Sequence, residues 1–262
     1  MKRIIILYLA LFMIIAASAA TLSKDKGKEL TGNEILAKVE ALNDAEDQTS
    51  TMKMVLIDKK GKENVREVKL WTKGERKRLI KFLSPADVKG VGFLVLDADL
   101  DSEKMYLYLP AFKKIRRIAG SAKGESFMGS DFSYSDIGSS NYSQDYGVKR
   151  LPDEDSQYVL ELERKPGSDK DYAKLVMWVS PEVFVPTKIE FYEIKKAMGK
   201  EALDLRKKMT TNKIEKVGKY WIPEKIVMED LKKDHRTILE LSDIKFDTGL
   251  SDELFTERYL QR

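Results

Sequence analysis

The polar and apolar positions of the chain change their period once, after an N-terminal helical segment. Residues 31–44, TGNEILAKVEALND, carry apolar side chains three and four positions apart. This spacing predicts an amphipathic helix over about residues 32–43, with Thr31 or Asn33 as its N-cap. From residue 49 onward, polar and apolar side chains alternate, and a period of two is typical of strands that bury one face.

About a dozen alternating runs follow one another, among them NVREVKLWTK, KMYLYLP, TKIEFYEI and YWIPEKIVMED. In the first run, Arg66, Glu67 and Lys69 stand beside Val68 and Leu70. We expect the charged side chains to lie on a wet face of the sheet and the apolar ones on a dry face. The pattern therefore predicts a mainly β fold with a few helices, built as an antiparallel meander.

An antiparallel sheet of this size curls, and its dry concave face must be covered or filled. Three segments are available to cover it. They are the N-terminal helix, a short C-terminal helix that Ser251 caps in GLSDELFTERYL, and the stretch over residues 126–143. We expect these three segments to close the open side of the sheet.

The stretch over residues 126–143, SFMGSDFSYSDIGSSNYS, is rich in serine, glycine and aspartate, as loops are. It nevertheless carries six large apolar side chains: Phe127, Met128, Phe132, Tyr134, Ile137 and Tyr142. Such side chains are not left in water without a reason. We expect Ser130 to cap a helical turn over residues 131–137, and Gly129 and Gly138 to permit movement. The stretch is interpreted as a lid, polar outside and apolar inside.

The N-terminus, MKRIIILYLALFMIIAASAA, has the order of a secretory signal. Lys2 and Arg3 precede an apolar run over residues 4–15, and Ala17-Ser18-Ala19 fits an A-x-A cleavage site. The run is shorter than the roughly 20 residues that cross a bilayer. We expect a signal peptide over residues 1–19, cleaved after Ala19, with a retained membrane anchor as the alternative.

A polar leader over residues 20–30 then precedes one domain over residues 31–262. The chain has no cysteine, so neither a disulfide nor a lipid-modified N-terminal cysteine can form. The formal net charge is +4, and loss of Lys2 and Arg3 with the signal peptide leaves +2. Such a balance gives no support to nucleic-acid binding and little to electrostatic membrane attachment.

Candidate catalytic and metal-binding residues are sparse. His235, the one histidine, stands in a polar turn; we expect it to be solvated, with a Ser-His-Asp triad as the alternative. One histidine without cysteine excludes the usual zinc sites. The acidic run LDADLDSEK has Ser102 and Tyr108 where an EF-hand loop needs glycine and glutamate, so a charged turn is the simpler interpretation. We therefore predict no catalytic residues, no metal and no cofactor.

The basic run KKIRR at residues 113–117 is a further candidate, because a strand there would place Ile115 among four cations. We expect a solvated, charged strand. Docking of an acidic partner or of lipid headgroups is the alternative.

Three segments resemble one protein family: FLSPADVKGVGFLVLD, MYLYLPAFKKIRRIAGSAKGESFMGSDFSYSDI and YWIPEKIVMED. They are similar to the exported outer-membrane lipoprotein-sorting proteins, the LolA-like superfamily, and in particular to its longer, largely uncharacterised branch. The resemblance spans about residues 31–260, and the middle segment is its specific part. It implies an incomplete, strongly curved antiparallel β-barrel closed by helical plug or lid segments.

The resemblance also implies a function. Such proteins hold acyl chains between sheet and helices and carry a lipid or a lipid-modified protein across the periplasm between the inner and outer membranes. We therefore expect a monomeric periplasmic carrier with transient membrane contact. The alternative is a non-catalytic accessory subunit of an inner-membrane exporter of the RND type. Related carriers latch the lid with an arginine, which no arginine here matches by sequence.

The apolar side chains that alternate along the predicted strands, together with those of the lid, are the candidates for lipid binding. Methionine suits such a cavity because it repacks around variable shapes. The candidate cavity and lid residues are Val68, Leu70, Leu94, Leu96, Met105, Leu107, Phe127, Met128, Phe132, Tyr134, Met177 and Phe191. At any one position taken alone, an ordinary core residue is the simpler interpretation.

Overall fold

The computed structural model describes residues 29–262, except 99, 101, 139, 140, 198 and 199. The expected signal peptide lies outside the described residues, as does the leader apart from its last two positions. Residues Thr31–Arg262 form one compact unit.

Thirteen strands form one antiparallel sheet within the described residues. The strands are β1 (Asp47–Ile57), β2 (Glu63–Lys73), β3 (Lys77–Ser84), β4 (Gly92–Leu96), β5 (Lys104–Leu109), β6 (Lys114–Ile118), β7 (Tyr146–Glu154), β8 (Gln157–Arg164), β9 (Lys174–Val179), β10 (Pro186–Ala197), β11 (Lys200–Val217), β12 (Tyr220–Asp230) and β13 (His235–Phe246). The helices are α1 (Gly32–Glu40), α2 (Tyr134–Gly138) and α3 (Glu257–Leu260).

The sheet order is β6-β5-β4-β3-β2-β1-β13-β12-β11-β10-β9-β8-β7. The first and last strands of the chain therefore pair at its centre, and β6 and β7 form its two edges. The sheet is strongly curled but not closed, which confirms the expected incomplete barrel. The segment between β6 and β7 joins the two edges, so the stretch over residues 126–143 belongs to the connection across the open side.

The two faces of the sheet are covered by different segments. On β4, Phe93 faces the 126–143 stretch, with its ring 5.3 Å from that of Phe127. We call this the inner face. Neighbouring Leu94 points to the outer face, where it packs with Leu79, Phe255 and Leu260 of the C-terminal segment. The expectation that the C-terminal helix covers the concave face is therefore wrong, because its apolar side chains complete a second core outside.

The C-terminal segment is held to the sheet by Asp47, which is buried at the start of β1. Its carboxylate accepts hydrogen bonds from the backbone N–H groups of Thr248, Gly249 and Leu250 at 2.7–2.8 Å. Burial alone would raise the pKa of Asp47, but these hydrogen bonds outweigh it and lower the pKa. The chain is thereby fixed as it leaves β13.

Helix α1 begins with a capping box at Thr31, one of the two expected N-cap residues. Thr31 Oγ1 accepts from Glu34 N, and Thr31 N donates to the Glu34 carboxylate at 2.7 Å. Its apolar stripe, which includes Ile35 and Leu36, is buried. At Gly32 an added Cβ would lie 3.0 Å from the backbone nitrogen of Arg150, so this helix start sits directly against β7.

Candidate functional site

Residues 125–134 form a small hairpin that crosses the inner face. Phe127 N donates to Phe132 O at 2.8 Å, and Tyr134 N donates to Glu125 O at 3.1 Å. The turn between the two arms has positive φ at Met128 (51°) and at Gly129 (80°). Glycine adopts this conformation without steric cost, which explains one glycine of the stretch. We call residues 125–138, the hairpin with helix α2, the lid.

Helix α2 is capped by Ser133 rather than by Ser130, so the expected cap is wrong. Asp136 N donates to Ser133 Oγ at 3.0 Å, and Ser133 N donates back to the Asp136 carboxylate at 2.8 Å. This reciprocal pair satisfies two donors at the helix start. At the other end, an added Cβ on Gly138 would lie 2.3 Å from Cε of Met105, so Gly138 serves a close approach to β5.

Aromatic rings fix one side of the lid to the sheet. The Phe127 ring lies 5.9 Å from Phe82, and the Tyr134 ring lies 5.4 Å from Phe93 and 5.5 Å from Phe127. These separations are within the range of favourable ring pairs, which contribute about 0.5–1.5 kcal/mol each beyond area burial. The cluster is buried and forms a wall at the β3–β4 side of the inner face.

Two arginines hold the lid through its backbone. Arg66 on β2 donates to the carbonyl of Met128, and Arg78 on β3 donates to the carbonyl of Ile137. Arg66 is buried, its Nε makes no hydrogen bond, and burial lowers its pKa. The two arginines thus contact the hairpin turn of the lid and the end of helix α2.

A third attachment joins the lid turn to β13. Asp131 N donates to Thr237 Oγ1 at 3.0 Å, and the Thr237 hydroxyl donates to the Asp131 carboxylate at 2.6 Å. The same carboxylate lies 2.7 Å from Nδ1 of His235. In a catalytic triad the hydroxyl would bond to the imidazole, whereas here it bonds to the carboxylate. His235 therefore anchors the lid, and the expectation that it is merely solvated is wrong.

An apolar cavity of about 280 Å³ lies between the lid and the inner face. The lid contributes Phe132, Asp136 and Ile137, and the chain just after α1 contributes Leu42 and Ala45. The strands contribute mostly apolar side chains, which include Met52, Leu70, Ile80, Met209, Ile226, Leu239, Leu241 and Phe246. Polar groups are confined to a few positions, among them Gln48, Thr72, Glu75 and Arg78. This composition matches a small-molecule site with an apolar body and few polar contacts.

Comparison with known proteins places the chain in a family. A family model described as an uncharacterized protein matches residues 74–262, which is more than half of the chain. Among solved structures, an outer membrane lipoprotein-sorting protein domain from Vibrio parahaemolyticus is 30% identical, with a TM-score of 0.78. The match covers 88% of this chain and 98% of that one. The chain belongs to the LolA-like superfamily of outer-membrane lipoprotein-sorting proteins.

Two further structures share this LolA-like fold. A DUF1329 family protein from Desulfovibrio piger is 28% identical over 87% of this chain and 97% of its own, with a TM-score of 0.80. A LolA superfamily protein from Nitrosomonas europaea is 23% identical over 88% of this chain and 100% of its own, with a TM-score of 0.71. A search of curated proteins finds no match.

The LolA-like scaffold distributes the sequence-predicted candidates over four places. Leu70 and Phe132 line the cavity. Phe127, Met128 and Tyr134 belong to the lid. Five more are buried on the inner face but do not line the cavity: Val68, Met105, Leu107, Met177 and Phe191. The remaining two, Leu94 and Leu96, face the C-terminal segment on the outer face, so the structure does not bring them to the cavity.

A larger, polar cleft of about 490 Å³ lies between the lid and strands β10–β12. Its charges are mostly paired: the two Nη atoms of Arg206 contact the Asp230 carboxylate, and Lys207 Nζ lies 3.4 Å from Asp136. The Tyr172 hydroxyl donates to the Asp136 carboxylate at 3.2 Å. Burial is the larger cause that raises the pKa of Tyr172, and the negative charge of Asp136 is the next. The contacts that Lys207 and Tyr172 make with Asp136 attach the lid to β11 and to the β8–β9 connection.

The acidic run between β4 and β5 was the one candidate for a cation. Asp99 and Asp101 lie outside the described residues, and the Glu103 carboxylate forms an ion pair with Lys123 at 2.8 Å. Within the described part of the chain, no group of three or more acidic or histidine side chains is placed to hold a metal ion. In the same part, no helix has the length and apolarity needed to span a membrane.

Proposed function

We propose that the protein is a non-catalytic periplasmic carrier that holds an acyl chain in the cavity under the lid. The main observation in support of the proposal is the apolar cavity itself. It lies between Phe132 and Ile137 of the lid on one side and the inner face of the sheet on the other. The cargo is a lipid or a lipid-modified protein, moved between the inner and outer membranes by a monomer. The lipoprotein-sorting name of the Vibrio relative supports this assignment.

The physical argument rests on transfer free energy. Each methylene moved from water into an apolar site contributes about 0.8 kcal/mol to binding. An acyl chain is therefore bound more tightly the more of its methylenes the cavity encloses. Met52 and Met209 stand in the cavity wall, and flexible thioether side chains adapt to chains of different shape. A cavity of about 280 Å³ is just below the roughly 300–1,000 Å³ of small-molecule pockets. A cargo with several acyl chains therefore requires the lid to move.

The test is binding of a fluorescent fatty acid in solution, with Phe132→Asp as the variant. A carboxylate at this position must be desolvated against the cavity, so affinity should fall about tenfold or more. Phe112→Asp is the matched control, because Phe112 is exposed and is not among the residues that line the cavity. The far-ultraviolet spectrum should stay β-like in both variants.

Mass spectrometry of lipid extracted from the native protein supplies the cargo class. Recovered lipid and a selective loss of binding in Phe132→Asp would support the carrier. Equal binding by the two variants, or a protein that neither contains nor takes up acyl chains, would overturn it in favour of an accessory subunit of an exporter.

A further inference from the structure

The turn between β5 and β6 presents an aromatic side chain to solvent. It is a single 3-10 turn, Pro110–Phe112, followed by Lys113 with φ 49°. Phe112 is 69% exposed, the largest fraction among the exposed large apolar side chains of the described residues. Proline at the first position and the left-handed residue after the turn restrict its backbone, so Phe112 is held outward.

The β5–β6 turn packs against the neighbouring β3–β4 connection. Gly90, in the β3–β4 connection, lies next to the Pro110 ring, where an added Cβ would be 3.5 Å away. Because successive strands are antiparallel, the β1–β2, β3–β4, β5–β6 and β12–β13 turns lie at the same ends of their strands. Val65, Leu83 and Leu231, which are also exposed, stand near these ends.

Positive charge is concentrated beside Phe112. Residues 109–118, LPAFKKIRRI, contain four cations and no acid. The side chains of Lys113, Lys114, Arg116 and Arg117 are exposed, and of these Arg116 approaches Glu125 at 3.4 Å. Positive charge is thus concentrated locally in this segment, although the net charge of the whole chain is small. We call residues 109–117 the basic tip.

Protection of a sheet edge accounts for only part of the basic tip. Strand β6 is an edge strand, and lysines or arginines on edges prevent pairing with other chains. That role explains Lys114 and Arg116. It does not explain a large aromatic ring held in water on the turn before the strand, because an exposed apolar side chain favours aggregation instead of preventing it.

We propose that the basic tip docks on a lipid surface that carries anionic headgroups. The Phe112 ring enters the boundary between headgroups and acyl chains, and the surrounding cations contact the phosphates. The proposal deepens the carrier function and rests on it, since it adds the surface on which cargo is loaded or released. Docking would hold the protein on the membrane through this surface contact.

Flotation with vesicles tests the proposal. Vesicles of phosphatidylethanolamine and phosphatidylglycerol should bind the protein, vesicles of phosphatidylcholine should bind it weakly, and 0.5 M salt should weaken the binding further because it screens the charges. Phe112→Ser should lower the vesicle partition coefficient about tenfold, as expected for removal of one inserted ring. Lys113→Glu/Lys114→Glu should lower it at least about tenfold on the anionic vesicles.

Two matched variants control for general effects. Leu100→Ser removes an exposed apolar side chain at the opposite strand ends, and Lys216→Glu/Lys245→Glu makes the same change of charge away from the basic tip. Both should retain the binding of the unaltered protein.

The outcomes separate docking from cargo binding. Vesicle binding that Phe112→Ser and Lys113→Glu/Lys114→Glu leave unchanged, or binding equal on neutral and anionic vesicles, overturns the docking proposal. So does absence of vesicle binding, including the case in which the tip binds only an acidic protein. Fatty-acid binding in vesicle-free solution is measured on the same variants, so it reports the carrier function independently and should be retained in the tip variants.

Discussion

The Asp131 carboxylate lies 2.7 Å from Nδ1 of His235, although 104 positions separate the two residues in the chain. Asp131 is at the turn of the lid and is almost fully buried, while His235 opens β13 and keeps 22% of its side chain exposed. Together with Thr237, this contact fixes the lid to the centre of the sheet. The lid therefore depends on polar contacts at its turn and on aromatic packing along its arms.

Thr237→Val should weaken the attachment of the lid turn. The substitution keeps the shape of a fully buried side chain but removes the hydroxyl that serves both Asp131 N and the Asp131 carboxylate. A buried donor left without a partner costs about 1–3 kcal/mol. Urea unfolding should show a loss of that size. Thr51→Val, on a half-buried strand position, should change stability far less, and equal losses in the two variants would contradict the anchor.

Arg66→Met should loosen the lid while leaving the sheet intact. Methionine fills similar space but cannot donate to the Met128 carbonyl. The hairpin turn of the lid should therefore open more often. Hydrogen exchange at the amides of Phe127 and Tyr134 should become several-fold faster, whereas amides of β8 and β9 should not change. Arg236→Met, at an exposed position, is the control. Unchanged exchange at both lid amides would show that the aromatic cluster alone holds the lid.

Alternation along the strands predicted the β architecture well, but not which segment lies on which face. Arg66 is two and four positions from Val68 and Leu70, so the period of two that turns those side chains to the inner face also turns Arg66 there. We expected it outside because a charge in isolation favours water. A carbonyl acceptor on a segment distant in sequence provides its partner, and no local pattern reveals that acceptor.

The lid was recognisable from its composition, whereas its attachments were not. Apolar side chains in a serine-rich and glycine-rich stretch indicated burial, and Phe132 does line the cavity. Ser133 instead of Ser130 caps the helix, because residues 131–133 complete a hairpin before the helix starts. The pairing of Asp131 with His235 depends on the curvature that brings β13 under the turn, and curvature is a property of the whole sheet.

Leu260→Ala should destabilise the fold without affecting acyl-chain binding. Leu260 is fully buried against Leu79 and Leu94 on the outer face, and its Cδ1 would meet a Cβ at Gly92 at 2.6 Å. Loss of such a side chain costs about 2–5 kcal/mol through lost burial and a cavity. Thermal unfolding should show the loss, and fatty-acid affinity should stay within error at temperatures where the variant is folded. Reduced affinity would indicate that the two faces are coupled.

Tyr172 should make stability fall in alkaline solution. Its hydroxyl is buried, and burial together with the charge of Asp136 raises its pKa well above the usual 10. Tyrosine is neutral when protonated, so below pH 10 the folded and unfolded states both hold the proton and this residue adds no pH dependence. Above pH 10 the unfolded chain releases the proton while the folded protein keeps it. Unfolding is then favoured by about 1.4 kcal/mol per pH unit for each such tyrosine.

Tyr172→Phe removes this proton and tests the argument. Between pH 7 and 9 the variant should be less stable by about 1.5–3 kcal/mol, the contribution of the lost hydrogen bond to the Asp136 carboxylate, and the difference should stay constant. From pH 10 to 11 the difference in unfolding free energy between the two proteins should narrow. Only the unaltered protein loses stability in this range through deprotonation of Tyr172 in its unfolded state. Burial also raises the pKa of Tyr146, but this residue is present in both proteins, so its contribution cancels in the difference between them. Urea unfolding midpoints over this range give the measurement, and a difference that stays constant above pH 10 would show that Tyr172 titrates alike in the folded and unfolded states.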